Sequence, residues 1–260
     1  IIGDTIIDEY TACEALGMSA EAPVLVVKEL ESKMYCGGAA VVASHIKNLG
    51  GNCFFATITG DDKHADFLEK DLNSKSILNY VLRDKSRPTT YKKRYMVDNQ
   101  KLFRVSKLED EPLNKELEKK FIDNILKIIP KVKGIVISDF SYGLITEKIL
   151  NTIIQSALKE NIKLFADSQC SSQLGSITKF QNYTLLCPNE KEARFSLQNK
   201  FSGVESLVNE LFKISHPKNI ILKLGKQGFI AYQKKSNGKV FNQHFPALSS
   251  NPIDVAGAGD

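Results

Sequence analysis

Apolar residues along this chain fall into two rhythms. Short apolar runs, each ending in a polar residue, recur from end to end. Ile1-Ile2-Gly3 precedes Asp4, Ile135-Val-Ile-Ser138 precedes Asp139, Leu164-Phe-Ala166 precedes Asp167, and Leu185-Leu-Cys-Pro188 precedes Asn189. Such runs read as buried strands of a parallel sheet. Between them the apolar spacing becomes helical. Ala39, Val42, Ala43, Ile46 and Leu49 share one face, which Gly50-Gly51 terminates. Leu207, Val208, Leu211 and Phe212 line a second such face.

The pattern predicts strands over 53–59, 134–138, 163–167, 184–186, 219–224 and 229–233. It predicts helices over 39–49, 61–72, 115–129, 146–159, 190–195 and 204–214. The alternation implies an α/β fold, a mostly parallel central sheet flanked by helices. Residues 23–28, 89–97 and 102–106 also read as strands, the last two joined by a polar turn over 98–101. Segments 9–33 and 87–107 fit the alternation poorly and are expected to form a small β layer on what is otherwise one domain, 1–260.

Composition narrows the class without changing this picture. With 42% apolar and 25% charged residues the chain is an ordinary globular one. No run approaches the ~18 apolar residues of a membrane span. The net charge of +5 suits an enzyme handling phosphates, and it is too small and scattered to imply nucleic-acid binding. The five cysteines make no C-x-x-C pair, which points to a reduced, cytoplasmic chain. The four histidines show no metal-ligand spacing. The abrupt Ile1 start and Asp260 end read as a piece cut at both ends.

Candidate chemistry concentrates in two places. Asp254-Val-Ala-Gly-Ala-Gly-Asp260 combines small residues, whose backbone N–H groups can approach a phosphate, with a terminal carboxylate placed to take a proton. It lacks the Gly-Lys-Ser/Thr ending of a Walker loop. The polar residues after the strands form the second group, because ligands of open α/β sheets bind beyond the carboxyl ends of the strands. Taken singly, each equally suits a helix cap or a turn. Asn189-x-x-Glu192 suits a helix start as well as a site holding Mg²⁺ through water. Gly225-x-x-Gly228 reads as a hairpin turn.

Together these motifs resemble the ribokinase-type (PfkB) carbohydrate kinases over essentially the whole chain, and within them the heptose 7-phosphate kinases. The resemblance is carried by Gly3-Asp4-Thr-Ile-Ile-Asp8-Glu-Tyr10, Ser19-Ala-Glu-Ala-Pro23-Val, Gly37-Gly-Ala-Ala40, Pro88-Thr-Thr, Asn99-Gln100, Ser138-Asp139-Phe, Pro188-Asn189-Glu-Lys-Glu192 and the terminal Gly-Ala-Gly-Asp. The Ser-Ala-Glu-Ala-Pro-Val string is its specific part.

The resemblance implies ATP- and Mg²⁺-dependent phosphorylation of a sugar or sugar phosphate. In its sharpest form the substrate is D-glycero-D-manno-heptose 7-phosphate, phosphorylated at O1 on the route to ADP-heptose and lipopolysaccharide. It makes Asp260 the catalytic base and the backbone of Gly257, Ala258 and Gly259 the anion hole. Asp4, Asp8, Gly37, Gly38 and Asp139 would bind the sugar. Lys92, Arg94 and Arg104, in a β lid of about 9–33 and 87–107, would meet an anionic group. Asn189, Glu192, Lys223, Gly225 and Gly228 would serve the nucleotide, with Asn189 and Glu192 organising Mg²⁺. The lid would double as a homodimer surface, and a nucleotidyltransferase domain would be fused beyond Asp260. Neither a membrane nor a nucleic acid is an expected partner.

Four departures stand out. Val41 replaces an expected Asn, Tyr142 and Gln169 replace expected lysines, and Lys223 stands where Thr is common. Two alternatives therefore stay open: a kinase of the same fold for another sugar, and a non-catalytic sugar- or nucleotide-binding relative.

Overall fold

The computed structural model describes residues 1–98, 100–169, 176–235 and 237–249. The chain divides into two compact units. One combines Ile1–Asp4 with Asp110–Asp260, and the other is Thr5–Glu109. The first strand, β1 (Ile2–Gly3), belongs to the former.

The Thr5–Glu109 unit begins with a long hairpin of β2 (Thr5–Met18) and β3 (Leu25–Gly38). Helix α1 (Ala39–Asn48) follows the Gly37-Gly38 pair and buries Ala39, Ala40 and Ala43. Strand β4 (Phe54–Gly60) leads to α2 (Lys63–Ser74), and β5 (Leu78–Asp84) pairs parallel to β4. Asp62 caps α2 by accepting from the N–H groups of His64 and Ala65. Its other oxygen accepts the N–H of Thr89, so the Pro88-Thr-Thr stretch is tied to the same cap.

Strands β6 (Tyr91–Val97) and β7 (Gln100–Lys107) complete a four-stranded sheet of order β3-β2-β6-β7. The irregular segments thus belong to one sheet, and its hairpin runs further than the 23–28 strand expected. Its edge strands are exposed along almost their whole length, so they carry no period-2 apolar pattern to read.

In the other unit, α3 (Lys115–Ile128) leads to β8 (Gly134–Asp139), then α4 (Glu147–Lys159) to β9 (Lys163–Ser168). Asn114 and Thr146 cap the two helices through their side-chain oxygens. A single 3-10 turn (Ile177–Lys179) and β10 (Leu185–Leu186) precede α5 (Glu190–Ser196) and α6 (Val204–Ile214). Strands β11 (Asn219–Lys223), β12 (Phe229–Lys234) and β13 (Val240–Phe245) close the described chain.

The sheet order in this unit is β13-β12-β11-β10-β9-β8-β1. β1 and β8 to β11 run parallel, and β12 and β13 return antiparallel. Helix α6 buries Leu207, Val208, Leu211 and Phe212, the four residues its spacing singled out. Burying each contributes about 1.5–3 kcal/mol. Among the described residues, no helix is long and apolar enough to cross a membrane.

Candidate active site

Parallel pairing sets the strand ends in register. Gly3 pairs with Ser138, Asp139 with Ser168, and Leu186 with Ala166. Asp4, Asp139, Asp167 and Asn189 therefore come to one edge of one sheet.

Asp4 is 2% exposed. Its Oδ2 accepts the N–H of Phe140 at 2.8 Å and that of Tyr142 at 3.3 Å. Its Oδ1 is buried without a hydrogen-bond partner among the described residues. The two donors converge because Ser141 takes a left-handed φ of 60°. Asp139 holds that turn, its Oδ1 accepting the Ser141 N–H at 2.9 Å. Burial raises the pKa of Asp4 from 3.8 to about 7. The charge of Asp139 adds to the rise, while the two backbone donors and Lys179 oppose it.

Asp139, 1% exposed, is the most enclosed of these carboxylates. Its Oδ2 accepts from the Ser168 hydroxyl at 3.2 Å and meets Lys179 Nζ at 2.5 Å. The sequence reading missed Lys179 and Ser168. A serine ending a strand and a lysine in a one-turn helix carry no local mark of this long-range pairing.

Asp167 pairs with Lys223 at 2.7 Å. Burial raises the pKa of Asp167 although Lys223 pulls it down. For Lys223, burial favours the neutral amine, but the Asp167 carboxylate outweighs it and the pKa rises. The two shifts point to opposite charge states for the pair. The short contact, with side chains still 20% and 18% exposed, favours the ionised form. Asp167 Oδ1 is buried and unpartnered among the described residues.

Asn189 and Glu192 form a capping box. Asn189 Oδ1 accepts the Glu192 N–H at 2.9 Å, and Glu192 Oε2 accepts the Asn189 N–H at 2.7 Å. These two oxygens are thereby occupied, so the pair suits a hydrated cation held through water better than direct ligation. Gly225 and Gly228 sit in the turn between antiparallel β11 and β12, as a hairpin requires. Gly225 has φ +61° with open space where a Cβ would lie. Gly228 has φ +88° and backbone of residues 245–247 pressed against it.

In the Thr5–Glu109 unit, strand register places Asp8 opposite Lys92 and Tyr10 opposite Arg94, with Arg104 opposite Arg94 on the next strand. Asp8, Lys92, Arg94 and Arg104 thus share one face of the four-stranded sheet. Arg94 forms an ion pair with Asp8 and stacks over the Tyr10 ring at 5.2 Å. Gly37 lies beside Asp8, and a Cβ there would force the Asp8 carboxylate to shift. Gly38 adopts φ 61° immediately before α1.

Of the replaced positions, Val41 lies half-buried on α1. Tyr142 is buried and stacks near Phe140, contributing its N–H to Asp4. Gln169 donates its N–H to the Asp139 carbonyl. The motif from Asp254 to Asp260, and Asn99, lie outside the described residues. Among the described residues no cluster of metal-ligating side chains occurs, and Cys13, Cys36, Cys53 and Cys187 are free thiols.

Comparison with known proteins agrees with this architecture. Phosphofructokinase-2 from Escherichia coli, in complex with substrates and products, superposes with a TM-score of 0.76 at 16% identity, over 99% of this chain and 82% of that one. The Arabidopsis thaliana ribokinase complexed with ribose and ATP gives 0.70 at 18% identity, over 95% and 78%. The fold is therefore ribokinase-like. The bifunctional protein HldE of Campylobacter jejuni (strain RM1221) is 33% identical over 267 residues, spanning 100% of this chain and 53% of that protein. The chain spans about half the length of the curated relatives it matches. The model of the pfkB family carbohydrate kinases matches residues 1–260. With that match, and with the buried carboxylates at the strand ends, the chain belongs to the PfkB family of carbohydrate kinases.

Proposed function

We propose that this sugar kinase transfers the γ-phosphoryl group of ATP to O1 of D-glycero-D-manno-heptose 7-phosphate, in ADP-heptose formation for lipopolysaccharide. The observation that carries a sugar-binding role is Asp4: a buried carboxylate, oriented by two backbone donors, with one oxygen unpartnered. Such an oxygen accepts from a sugar hydroxyl and discriminates against molecules lacking one. Bound ATP supplies the phosphoryl group, and Mg²⁺ offsets its charge.

In this reading Asp260 takes the proton from the acceptor hydroxyl, and the N–H groups of Gly257, Ala258 and Gly259 hold the developing negative charge. Asp139 keeps the 139–142 turn, and so Asp4, in place. Lys223, Gly225 and Gly228 serve the nucleotide, while Asn189 and Glu192 hold Mg²⁺ through water. Gly37, Gly38, Asp8, Lys92, Arg94 and Arg104 serve the acceptor. A homodimer through the four-stranded sheet, a fused nucleotidyltransferase domain and a cytoplasmic location belong to the same reading. The name of the bifunctional relatives supports the fused domain.

A different acceptor is the second reading. It is favoured by Tyr142, which packs on Phe140 where a lysine ammonium was expected.

Both are tested in the full-length protein by ADP release with heptose 7-phosphate, unphosphorylated heptose and fructose 6-phosphate. Asp260→Asn should lower kcat by about 10²–10⁴-fold with ATP binding retained. No ADP release with any sugar, despite ATP binding, would favour the non-catalytic relative. A variant keeping more than about a tenth of kcat would place the base elsewhere.

A further inference from the structure

The strand-end edge presents three carboxylates, Asp4, Asp139 and Asp167, and two lysines, Lys179 and Lys223. A sugar phosphate brings further negative charge to this edge, where buried carboxylates repel it. It binds there only beside a cation with donors to spare.

Lys223 does not meet that condition. It lies on β11 against Asp167 and within the field of Glu192. Lys179 does. It ends a single-turn helix, 29% of its side chain is exposed, and its ammonium, with three N–H donors, pairs with the Asp139 carboxylate. No other side-chain hydrogen-bond or ion-pair partner for the ammonium occurs among the described residues. The Phe180 ring lies 5.4 Å from the ammonium and shields one side.

Its position also connects it to the sugar-binding carboxylate. Lys179 meets Asp139 at Oδ2, while Oδ1 of the same carboxylate independently holds the Ser141 N–H and so the turn that presents the Phe140 and Tyr142 N–H groups to Asp4.

We propose that Lys179 is a specificity-determining residue that anchors the anionic group of a phosphorylated acceptor. The inference rests on the kinase reading above. In it, Lys179 bridges Asp139 and the acceptor phosphate, so that the phosphate and the hydroxyl held by Asp4 are read by one connected set of groups. The strand-end carboxylates then repel any anion that does not reach this ammonium.

The test is calorimetric titration of the full-length protein with heptose 7-phosphate and with unphosphorylated heptose, reading the ratio of the two affinities. The wild type should prefer the phosphorylated sugar. Lys179→Met should weaken its binding by about ten- to a hundredfold, the range of a lost charged hydrogen bond, and leave the unphosphorylated sugar within about twofold. Lys179→Arg should restore most of the ratio. Because Lys179→Met leaves Asp139 buried without its cation, the double variant Lys179→Met/Asp139→Asn removes both charges while keeping a side-chain oxygen to accept the Ser141 N–H. It should show the same loss of preference. The proposal is overturned if Lys179→Met weakens both sugars alike, if the double variant keeps the preference, or if the wild type has none. Failure of the kinase reading shows separately, as absence of ADP release by the wild type.

Discussion

Asp4→Asn should make the protein more stable at neutral to alkaline pH while weakening its hold on the acceptor sugar. The rise of the Asp4 pKa from 3.8 to about 7 means that the folded state holds a proton the unfolded chain has already released. Below pH 3.8 both states are protonated, and the group contributes nothing to the difference. As pH climbs to about 7 the unfolded state gains its ionisation and the folded state does not, so stability falls. Above about 7 the loss is complete. Three decades of proton affinity at ~1.4 kcal/mol each give about 4 kcal/mol as a ceiling. About 3 kcal/mol of that lies between about pH 5 and pH 8.5.

Asparagine keeps the acceptor that Phe140 and Tyr142 bond. It places an unpaired N–H₂ where a protonated carboxyl would place an unpaired O–H, so the polar inventory near pH 5 is almost unchanged. Urea titrations of wild type and variant at about pH 5, 7 and 8.5 measure the midpoint shift. The variant's advantage should grow with pH by up to ~3 kcal/mol, while the KM for the acceptor sugar rises. A variant less stable than wild type by the same amount at every pH would refute the reasoning, because it would show that Asp4 is ionised and satisfied in the folded state.

Lys223→Met leaves Asp167 without its 2.7 Å partner and should destabilise by about 2–3 kcal/mol, less than a fully buried pair because both side chains keep contact with water. Adding Asp167→Asn should recover most of that loss in the same urea assay. Gly228→Ala forces a Cβ into the 245–247 backbone at a φ of +88° and should cost about 3 kcal/mol or more. Gly225→Ala, at φ +61° with open space, should cost only about 1–2 kcal/mol. Thermal unfolding separates the two, and equal losses would show that strain alone, not the close approach, sets the Gly228 requirement.

The legible part of the fold was the part buried on one side. Strands β8 to β11 announced themselves as apolar runs, and α6 as a one-sided stripe, because burial imposes those periods. Strand β13 carries Asn242, Gln243 and His244, almost all of it exposed. It exists through its ladder with β12 rather than through its own apolar content. Strand β5 begins with exposed Leu78 and mixes Asn79 and Arg83 among its apolar residues, which hides its alternation. The carboxylates of the site were readable because each directly follows an apolar run, Asp139 and Asp167 falling within the last two positions of β8 and β9. The residues that complete them were not. Lys179 reaches Asp139 from 40 positions on in the chain, a proximity that sheet topology creates and no local spacing encodes. The Asn189–Glu192 spacing suggested a cap and a cation site alike, and the structure shows the cap.

Strand β1 has a consequence for how the protein is made. It holds only Ile2 and Gly3, and it pairs in parallel with β8. Asp4 is oriented by Phe140, 136 residues further along the chain. During synthesis Ile2, Gly3 and Asp4 therefore leave the ribosome well before residues 134–142 do. The Thr5–Glu109 stretch has its own internal contacts and can form meanwhile, whereas Asp4 acquires its environment only once residues 134–142 have emerged. Closing so long a loop costs little more than closing one half its length, but it postpones the event. Asp4 is translated well before the residues that orient it, so nascent chains stalled before β8 should carry a formed hairpin sheet and an Asp4 still without its Phe140 and Tyr142 donors.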